Sequence, residues 1–285
     1  LALLEVFDGS LKSTDCEKLL FNFCQITGKN YYDFFPYKFG PFSFISYFDK
    51  RRLATLGLLK EADDFQLNTD YSYLGELKPD DRQALLSFKT RFGNLRGMQL
   101  VKETYQEYPQ FAARSQIFDK LFTTNEVKHL QRSWNNEKKP LIFTVGYEGI
   151  SIDAFLNKLI TNNIMAVVDV RHNPQSMKYG FSKKRFKEYI EGSRMKYIHI
   201  PELGIPSSMR RGLGTDISHE RLFQKYEAEL LPKNVDAQTQ LIKLFEVYPR
   251  IALVCFEADH HFCHRNTLLE HLQKKKPLTS PVFHL

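Results

Sequence analysis

The stretch IMAVVDVR, residues 164–171, determines how the second half of this chain is expected to fold. It opens with a continuous apolar run and ends with the charged residues Asp169 and Arg171. Because successive side chains of a strand point to opposite faces, an unbroken apolar run predicts a strand that is buried on both faces. Such strands are typical of parallel sheets that carry helices on both sides.

Around this stretch the sequence alternates between short apolar segments with β character and amphipathic segments with helical spacing. Alternation at this spacing predicts an α/β domain with a doubly wound, mainly parallel sheet, which we place at residues 139–285. The expected strands are LIFTVGY (141–147), IMAVVDVR (164–171), KYIHIPEL (196–203), RIALVCFE (250–257) and PVFHL (281–285), and the expected helices cover 151–163, 183–194, 218–231, 235–247 and 265–276.

Residues 1–138 follow a different pattern, in which helical spacing dominates. The segment STDCEKLLFNFCQIT (13–27) has one apolar face, and PFSFISYFDKRRLATLG (41–57) begins with proline and ends with glycine, as many helices do. The charged segment QRSWNNEKKP (131–140) is typical of a linker. We therefore predict a smaller, mostly helical domain at 1–138, with a winged helix, in which a β-wing follows the helices, as its more specific form.

The composition indicates a globular protein with an excess of positive charge. Of its 285 residues 42% are apolar and 26% are charged, and the net charge is +7. This balance favours anionic partners such as nucleic acid and nucleotides. The four cysteines suit a reducing compartment, no apolar run is long enough to span a membrane, and the opening LALLEVF lacks a basic leader. We therefore expect a cytoplasmic protein without a membrane partner.

Every unusual polar cluster of the α/β half follows one of the expected strands. The carboxyl ends of parallel strands meet at one edge of the sheet, and ligands of such sheets bind outside that edge. The clusters therefore predict a functional site there. They are GYEG (146–149), DVRHNP (169–174), PELGIP (201–206) and CFEADHHFCHR (255–265).

These four phrases, together with GFSKK (180–184), resemble the DUF488 family from about residue 141 onward. The resemblance implies an α/β domain, and it implies no particular reaction because the activity of that family is unsettled. It also implies signature positions at Gly146, Tyr147, Glu148, Asp169, Arg171, Asn173, Pro174, Glu202, Cys255, Glu257, Cys263, His264 and Arg265.

A second resemblance concerns about 50 residues of the N-terminal half. The phrases KLLF (18–21), YKFGPFS (37–43) and LATLGLL (53–59) resemble SocA-like (Panacea) antitoxin domains. That family implies a helical module that serves protein partners at least as often as DNA. The basic run at 50–52 would contact phosphates or form a solvated helix face.

The phrase Cys263-His264-Arg265 is expected at the start of the last long helix, where unpaired N–H groups and the helix dipole favour an anion. His264 and Arg265 would bind phosphate or carboxylate there. Cys263 would have a lowered pKa and serve as a catalytic nucleophile. The alternative is a capped helix that contains a small buried cysteine.

Two other uses of the cysteines are less well supported. A zinc site would draw on Cys255, His260, Cys263 and His264. The chain has no Cys-x-x-Cys pair here and the adjacent arginine opposes a cation, so we predict no metal ligands. The DVR phrase and the strand-end cysteine are also similar to rhodaneses, whose cysteine loop is rich in glycine; the loop in this chain is not.

Carboxylates at the same edge are the other catalytic candidates. Glu148, Asp169 and Glu257 would supply general acid–base catalysis of glycosidic cleavage, or hold a metal for phosphodiester hydrolysis. An Asp169–Arg171 pair that only fixes the loop is the alternative. We expect the substrate to be bound by Tyr147, Arg171, Asn173, Glu202, His264 and Arg265.

Basic and aromatic residues are interleaved near this edge, which is typical of nucleic-acid surfaces. Tyr179 and Phe181 lie among the cations, although an ordinary solvated helix start would have the same composition. The expected nucleic-acid-binding residues are Lys178, Lys183, Lys184, Arg185, Arg210 and Arg211.

These observations predict a hydrolase or glycosidase that acts on nucleic acid or nucleotides, of the kind found in bacterial defence or DNA repair. They predict no particular cofactor, and the N-terminal domain is expected to contact a protein partner. The alternative is a non-catalytic regulator that binds DNA or protein and whose α/β domain senses a small anionic ligand.

Overall fold

The computed structural model describes residues 1–134, 136–210, 216–275, 277–278 and 280–285. The chain divides into two compact units, Leu1–Asn135 and Asn136–Leu285. The sequence pattern placed this division between residues 138 and 139, inside the same charged segment.

The first unit is mostly helical, as predicted, and its strands are short. Its helices are α1 (Ala2–Val6), α2 (Ser13–Thr27), α3 (Phe44–Thr55), α4 (Pro79–Phe92), α5 (Gly97–Glu107), α6 (Phe118–Leu121) and α7 (Thr124–Leu130). Its strands are β1 (Ser10–Leu11), β2 (Phe35–Tyr37), β3 (Gly40–Phe42) and β4 (Phe65–Gln66).

The strands of this unit alternate with the helices along the chain. β2 pairs with β3 in a hairpin between α2 and α3, and β1 pairs with β4, both antiparallel. The winged-helix arrangement, with a β-wing after the helices, is therefore not confirmed. Of the basic run at 50–52, Lys50 donates to the backbone oxygen of Asp63, while Arg51 and Arg52 are exposed.

The second unit is an α/β domain with one parallel sheet. Its strands are β5 (Leu141–Gly146), β6 (Ala166–Asp169), β7 (Lys196–His199), β8 (Arg250–Cys255) and β9 (Val282–His284). Its helices are α8 (Ile152–Thr161), α9 (Lys183–Gly192), α10 (Asp216–Lys225), α11 (Val235–Val247) and α12 (His264–Lys275). The strand order is β7-β6-β8-β5-β9, and every pairing is parallel.

Both faces of the central strands are buried, because their apolar residues alternate between two layers. Val168 and Leu253 pack in a core with Leu241 and Leu268 from the helices that follow β7 and β8. Val167, on the opposite face of β6, is equally buried. The parallel α/β sheet predicted from the unbroken apolar runs is thus confirmed. Among the described residues, no helix is long and apolar enough to cross a membrane.

Removing two methyl groups from the core of β6 tests how much this burial stabilises the domain. Val168 is fully buried, whereas Val247 at the end of α11 is 65% exposed. We expect Val168→Ala to lower the free energy of unfolding by about 2 kcal/mol, because it loses buried apolar area and leaves a cavity. Val247→Ala is the matched control and should change it by less than about 0.5 kcal/mol. Equal effects in urea denaturation would contradict this layer arrangement.

Candidate functional site

The carboxyl ends of four neighbouring strands meet at one edge of the sheet. Gly146 lies beside Cys255, and Asp169 lies beside both Val254 and His199. The segments that follow these strands enclose a cavity of about 320 Å³. The prediction that they share one hollow is therefore confirmed. Its lining residues are Tyr147, Arg171, His172, Asn173, Gln175, Ser176, Met177, Ile205, Ser207, Cys255 and Phe256.

Two glycines allow the loops at this edge to approach one another closely. A Cβ on Gly146 would lie 1.8 Å from the backbone oxygen of Glu257, and a Cβ on Gly204 would lie 2.1 Å from the backbone nitrogen of His172. No side chain fits at either distance. The loops after β5 and β8, and those after β6 and β7, are therefore in backbone contact.

Asp169 and Arg171 form a buried ion pair beneath the cavity. The Arg171 guanidinium donates through Nε to one carboxylate oxygen of Asp169 at 2.8 Å and through a terminal nitrogen to the other at 2.6 Å. The Tyr197 hydroxyl also donates to Asp169, at 2.8 Å. Asp169 is fully buried and both of its oxygens accept hydrogen bonds, which agrees with the alternative of a pair that fixes the loop better than with a catalytic carboxylate.

Arg171 also organises the aromatic wall of the cavity. It donates to the Tyr147 hydroxyl at 2.9 Å and to the backbone oxygen of Phe181 at 2.8 Å. Tyr147 stacks on Phe181 with ring centroids 4.2 Å apart, and Phe256 meets Tyr147 edge to face. Burial opposes the charge of Arg171, yet the bonds to Asp169 raise the pKa of the guanidinium, so it stays a cation.

Behind the cavity floor lies a group of four side chains, Cys255, Glu257, Cys263 and His264, which we call the cysteine–histidine cluster. One sulfur, oxygen or nitrogen atom from each lies within 4.8 Å of those of the others. His264 Nδ1 is 3.6 Å from the Cys255 sulfur and 3.9 Å from the Cys263 sulfur. This donor set is of a kind that can hold a metal ion.

The members of the cluster perturb one another's protonation. A hydrogen bond with the Cys263 thiol and the nearby His264 lower the pKa of Cys255, whereas burial raises the pKa of Cys263. Burial also raises the pKa of Glu257. Burial alone would lower the pKa of His264, but the neighbouring Cys255 raises it overall.

Cys263 therefore differs from its predicted role. It directly precedes α12 as expected, but it is 1% exposed and burial raises its pKa, which agrees with the alternative of a small buried cysteine better than with a low-pKa nucleophile. Cys255, in contrast, lines the cavity. The sequence signal was its position at the very end of a buried strand.

Arg265 and Glu148 hold the loop after β8 in place. The Arg265 guanidinium is buried and donates to the backbone oxygens of Glu257 and Ala258, at 2.6 and 3.0 Å, and not to an exposed anion site. A carboxylate oxygen of Glu148 accepts from the Ala258 N–H at 3.1 Å. Both residues thus have positioning contacts where binding and catalytic roles were predicted.

The remaining residues that were predicted to bind a ligand do not all line the cavity. Asn173 lines the cavity, whereas Glu202 is exposed on the turn Pro201–Leu203 and does not. His264 is itself part of the cysteine–histidine cluster, and its Nε2 lies 3.2 Å from the backbone oxygen of Val170. His260, expected among possible zinc ligands, stacks on His284 at 3.5 Å. Glu257 occupies the position in the cluster that the sequence assigned to His260.

The predicted nucleic-acid-binding residues lie beside the cavity where the structure describes them. Lys178 donates to the backbone oxygen of Tyr147 at 2.7 Å. Lys183, Lys184 and Arg185 are exposed in the first turn of α9. Arg210 ends the turn Ser207–Arg210, its side chain lies outside the described part of the chain, and Arg211 is outside the described residues.

Removing Arg171 would leave the Asp169 carboxylate buried without its partner. We expect Arg171→Ala to cost about 3–5 kcal/mol of folding stability, because an uncompensated buried charge is strongly unfavourable. Arg185→Ala removes the same side chain from an exposed position and should cost less than about 0.5 kcal/mol. Thermal and urea unfolding of both variants provides the measurement. If Arg171→Ala is as stable as its control, Asp169 and Arg171 do not form the pair described.

Gly146→Ala tests the backbone contact between the loops after β5 and β8. Its Cβ would overlap the Glu257 oxygen, so one of the two segments must move and the cluster should open. We expect faster labelling of Cys255 by a thiol reagent and a lower melting temperature. Gly75→Ala, whose Cβ meets no atom closer than 3.5 Å, is the control and should leave both unchanged. Unaltered labelling in Gly146→Ala would contradict the close contact.

Comparison with known proteins found one match, to a family model. A search of curated proteins found no match, and a search of solved structures found none either. The match to a family model does not extend to the first unit, whose resemblance to SocA-like domains rests on its sequence phrases alone. Residues 151–272 match the family model described as "Domain of unknown function DUF488", so the second unit contains a DUF488 domain.

Proposed function

We propose that the DUF488 domain binds nucleic acid or a nucleotide at the carboxyl edge of its sheet and acts on it as a hydrolase. The observation that carries this proposal is a connection between the exposed cations of α9 and the cavity. Ser182, which precedes α9, donates to the backbone oxygen of Ser176 at 2.8 Å, and the Lys183 N–H donates to that of Pro174 at 3.0 Å. Ser176 lines the cavity.

The charge of the first turn of α9 favours an anionic partner. Lys183, Lys184 and Arg185 lie at the positive end of the helix dipole, where cations are unfavourable, and the turn contains no acidic residue. Helix stability therefore does not account for these cations. A phosphate backbone would be attracted both by the side chains and by the helix terminus.

The cavity suits one nucleotide unit. Its volume of about 320 Å³ lies at the lower end of the range for small-molecule sites. Phe256, which is 43% exposed, offers aromatic surface on which a base can stack, and Asn173 and Gln175 offer hydrogen-bonding groups. A strand bound along α9 could thus place a single base or sugar in the cavity.

The second candidate function is a regulator that binds its ligand without turnover, and the arrangement of the charged groups supports it. Asp169 is neutralised by Arg171, and Glu148, one oxygen of which accepts a backbone N–H, does not line the cavity, so neither carboxylate lies against a molecule bound there. Cys255, with the cluster behind it, and His172 are then the reactive side chains that line the cavity. Hydrolysis would have to depend on such a group, whereas ligand sensing would not. The SocA-like phrases of the first unit support a protein-partner role in either case.

Charge removal tests the nucleic-acid surface. We expect Lys183→Gln/Lys184→Gln/Arg185→Gln to weaken binding of a labelled DNA or RNA oligonucleotide and to lower the slope of log affinity against log salt by about 2, since each lost phosphate contact removes about 0.7–0.9. The control Lys196→Gln/Lys233→Gln/Lys243→Gln removes equal charge from exposed positions elsewhere on the domain. Titrations at several salt concentrations measure both. Equal slopes would contradict the proposed surface.

Turnover separates the hydrolase from the regulator. The full chain is incubated with labelled DNA, RNA and mononucleotides, with and without added divalent ions, and the products are resolved by chromatography. The hydrolase proposal expects cleavage that Cys255→Ala abolishes while binding along α9 persists. Binding without any product would favour the regulator.

A further inference from the structure

The cysteine–histidine cluster combines burial with a concentration of metal-binding atoms. Cys255, Cys263 and His264 are 2%, 1% and 1% exposed. All three of these donors and a carboxylate oxygen of Glu257 lie within 4.8 Å of one another. Thiols are weak hydrogen-bond partners, so the two sulfurs satisfy the Nδ1 atom of His264 poorly by hydrogen bonding alone.

The distances in the cluster match the edges of a tetrahedral zinc site. With Zn–S near 2.3 Å and Zn–N near 2.0 Å, the edges of such a tetrahedron are about 3.5–3.8 Å. His264 Nδ1 lies 3.6 and 3.9 Å from the two sulfurs. The Cys255 sulfur lies 3.1 Å from Glu257 Oε2, so only a small outward shift of the carboxylate is needed.

The surrounding structure holds the donors in this arrangement. Cys255 ends the central strand β8, and Cys263 directly precedes α12 and His264 begins it, so three of the ligands lie in or next to regular elements. His264 Nε2 lies 3.2 Å from the backbone oxygen of Val170, which leaves Nδ1 directed at the sulfurs. Histidines that bind a metal through one ring nitrogen usually form a hydrogen bond through the other. The guanidinium of Arg265 donates to the backbone oxygen of Glu257 and so fixes the fourth donor's backbone.

The types of donor select the metal. Two thiolates and an imidazole are ligands that zinc prefers, whereas calcium and magnesium require oxygen donors. The other candidate group, Asp259, His260 and His261, contains no sulfur and its acid is exposed. It therefore serves as an internal comparison.

We propose that Cys255, Glu257, Cys263 and His264 bind one Zn²⁺ at the floor of the cavity. This site stands apart from the proposed nucleic-acid function, because it rests on the cluster alone. Cys255 both binds the ion and lines the cavity, which brings the metal within reach of a bound molecule. Glu257 is the least buried of the four ligands, so it is the one that water or a substrate oxygen would replace.

Metal content of the full-length protein tests the site. Protein purified under reducing conditions, loaded with Zn²⁺ and freed of excess ion should retain one equivalent by mass spectrometry of the metal. Replacement with Co²⁺ should give the intense visible and near-ultraviolet absorption of a tetrahedral thiolate complex. Removal of the ion by a chelator should make two further thiols reactive towards a disulfide reagent.

Variants assign the site to these side chains. Cys255→Ala/Cys263→Ala should lose the equivalent of metal and the Co²⁺ spectrum. Glu257→Gln keeps the fold and removes one charged ligand, so it should weaken zinc binding by about 100-fold. Asp259→Asn/His261→Ala removes exposed donors from the comparison group and should retain both the metal and the spectrum.

Three outcomes would overturn the proposal. The first is wild-type protein that retains no zinc and gives no thiolate absorption with Co²⁺. The second is undiminished metal in Cys255→Ala/Cys263→Ala together with undiminished affinity in Glu257→Gln. The third is loss of the metal in Asp259→Asn/His261→Ala alone, which would move the site to the neighbouring loop. None of these outcomes depends on whether the protein binds or cleaves nucleic acid.

Discussion

The buried ion pair between Asp169 and Arg171 is the interaction on which the carboxyl edge of the DUF488 domain depends. It joins the end of β6 to Tyr197 of β7, to Tyr147 after β5 and to the backbone before α9. A charge pair without solvent holds only when its geometry is good and its remaining donors and acceptors are bonded, and both conditions are met. The pair costs free energy to bury, and in return it fixes the positions of the segments that enclose the cavity.

The buried charged side chains at this edge hold the loops in place, and they differ in this from the groups at the floor of the cavity. The carboxylate of Asp169 is bonded by the Arg171 side chain, and the two terminal nitrogens of Arg265 donate to backbone oxygens. What remains at the floor of the cavity is sulfur and imidazole. The proposed chemistry therefore rests on Cys255 and the residues packed behind it, while the exposed cations proposed to bind nucleic acid lie outside the cavity, on α9.

The sequence was sufficient to predict the architecture of the second unit, because its signals are local. The unbroken apolar run at 166–168 is buried on both faces, and parallel strands bring their carboxyl ends together, so the shared hollow followed directly. The contacts within that hollow are not local. Whether Asp169 would face a ligand or Arg171, and whether His260 or Glu257 would join the two cysteines, depends on rotamers and loop paths that spacing does not encode. The absence of a Cys-x-x-Cys pair argued against a metal site, yet a strand end and a helix start bring Cys255 and Cys263 together without one.

The first unit illustrates the opposite case. Helical periodicity was enough to predict a mostly helical unit, but its β1–β4 pair joins residues more than 50 positions apart, and short strands of this kind carry no periodic signal. The position of these strands decides the topology, so a more specific fold could not be obtained from the pattern of apolar residues alone.

The position of β5 in the sheet has a consequence for how the protein is made. β5 lies between β8 and β9, whose paired residues follow it by more than 100 positions. During synthesis the leading strand of the sheet therefore waits, with both of its edges unpaired, until almost the entire domain has left the ribosome. Such a chain assembles the carboxyl edge of its sheet in one late step, and its exposed strand edges must be protected from aggregation until that step is complete.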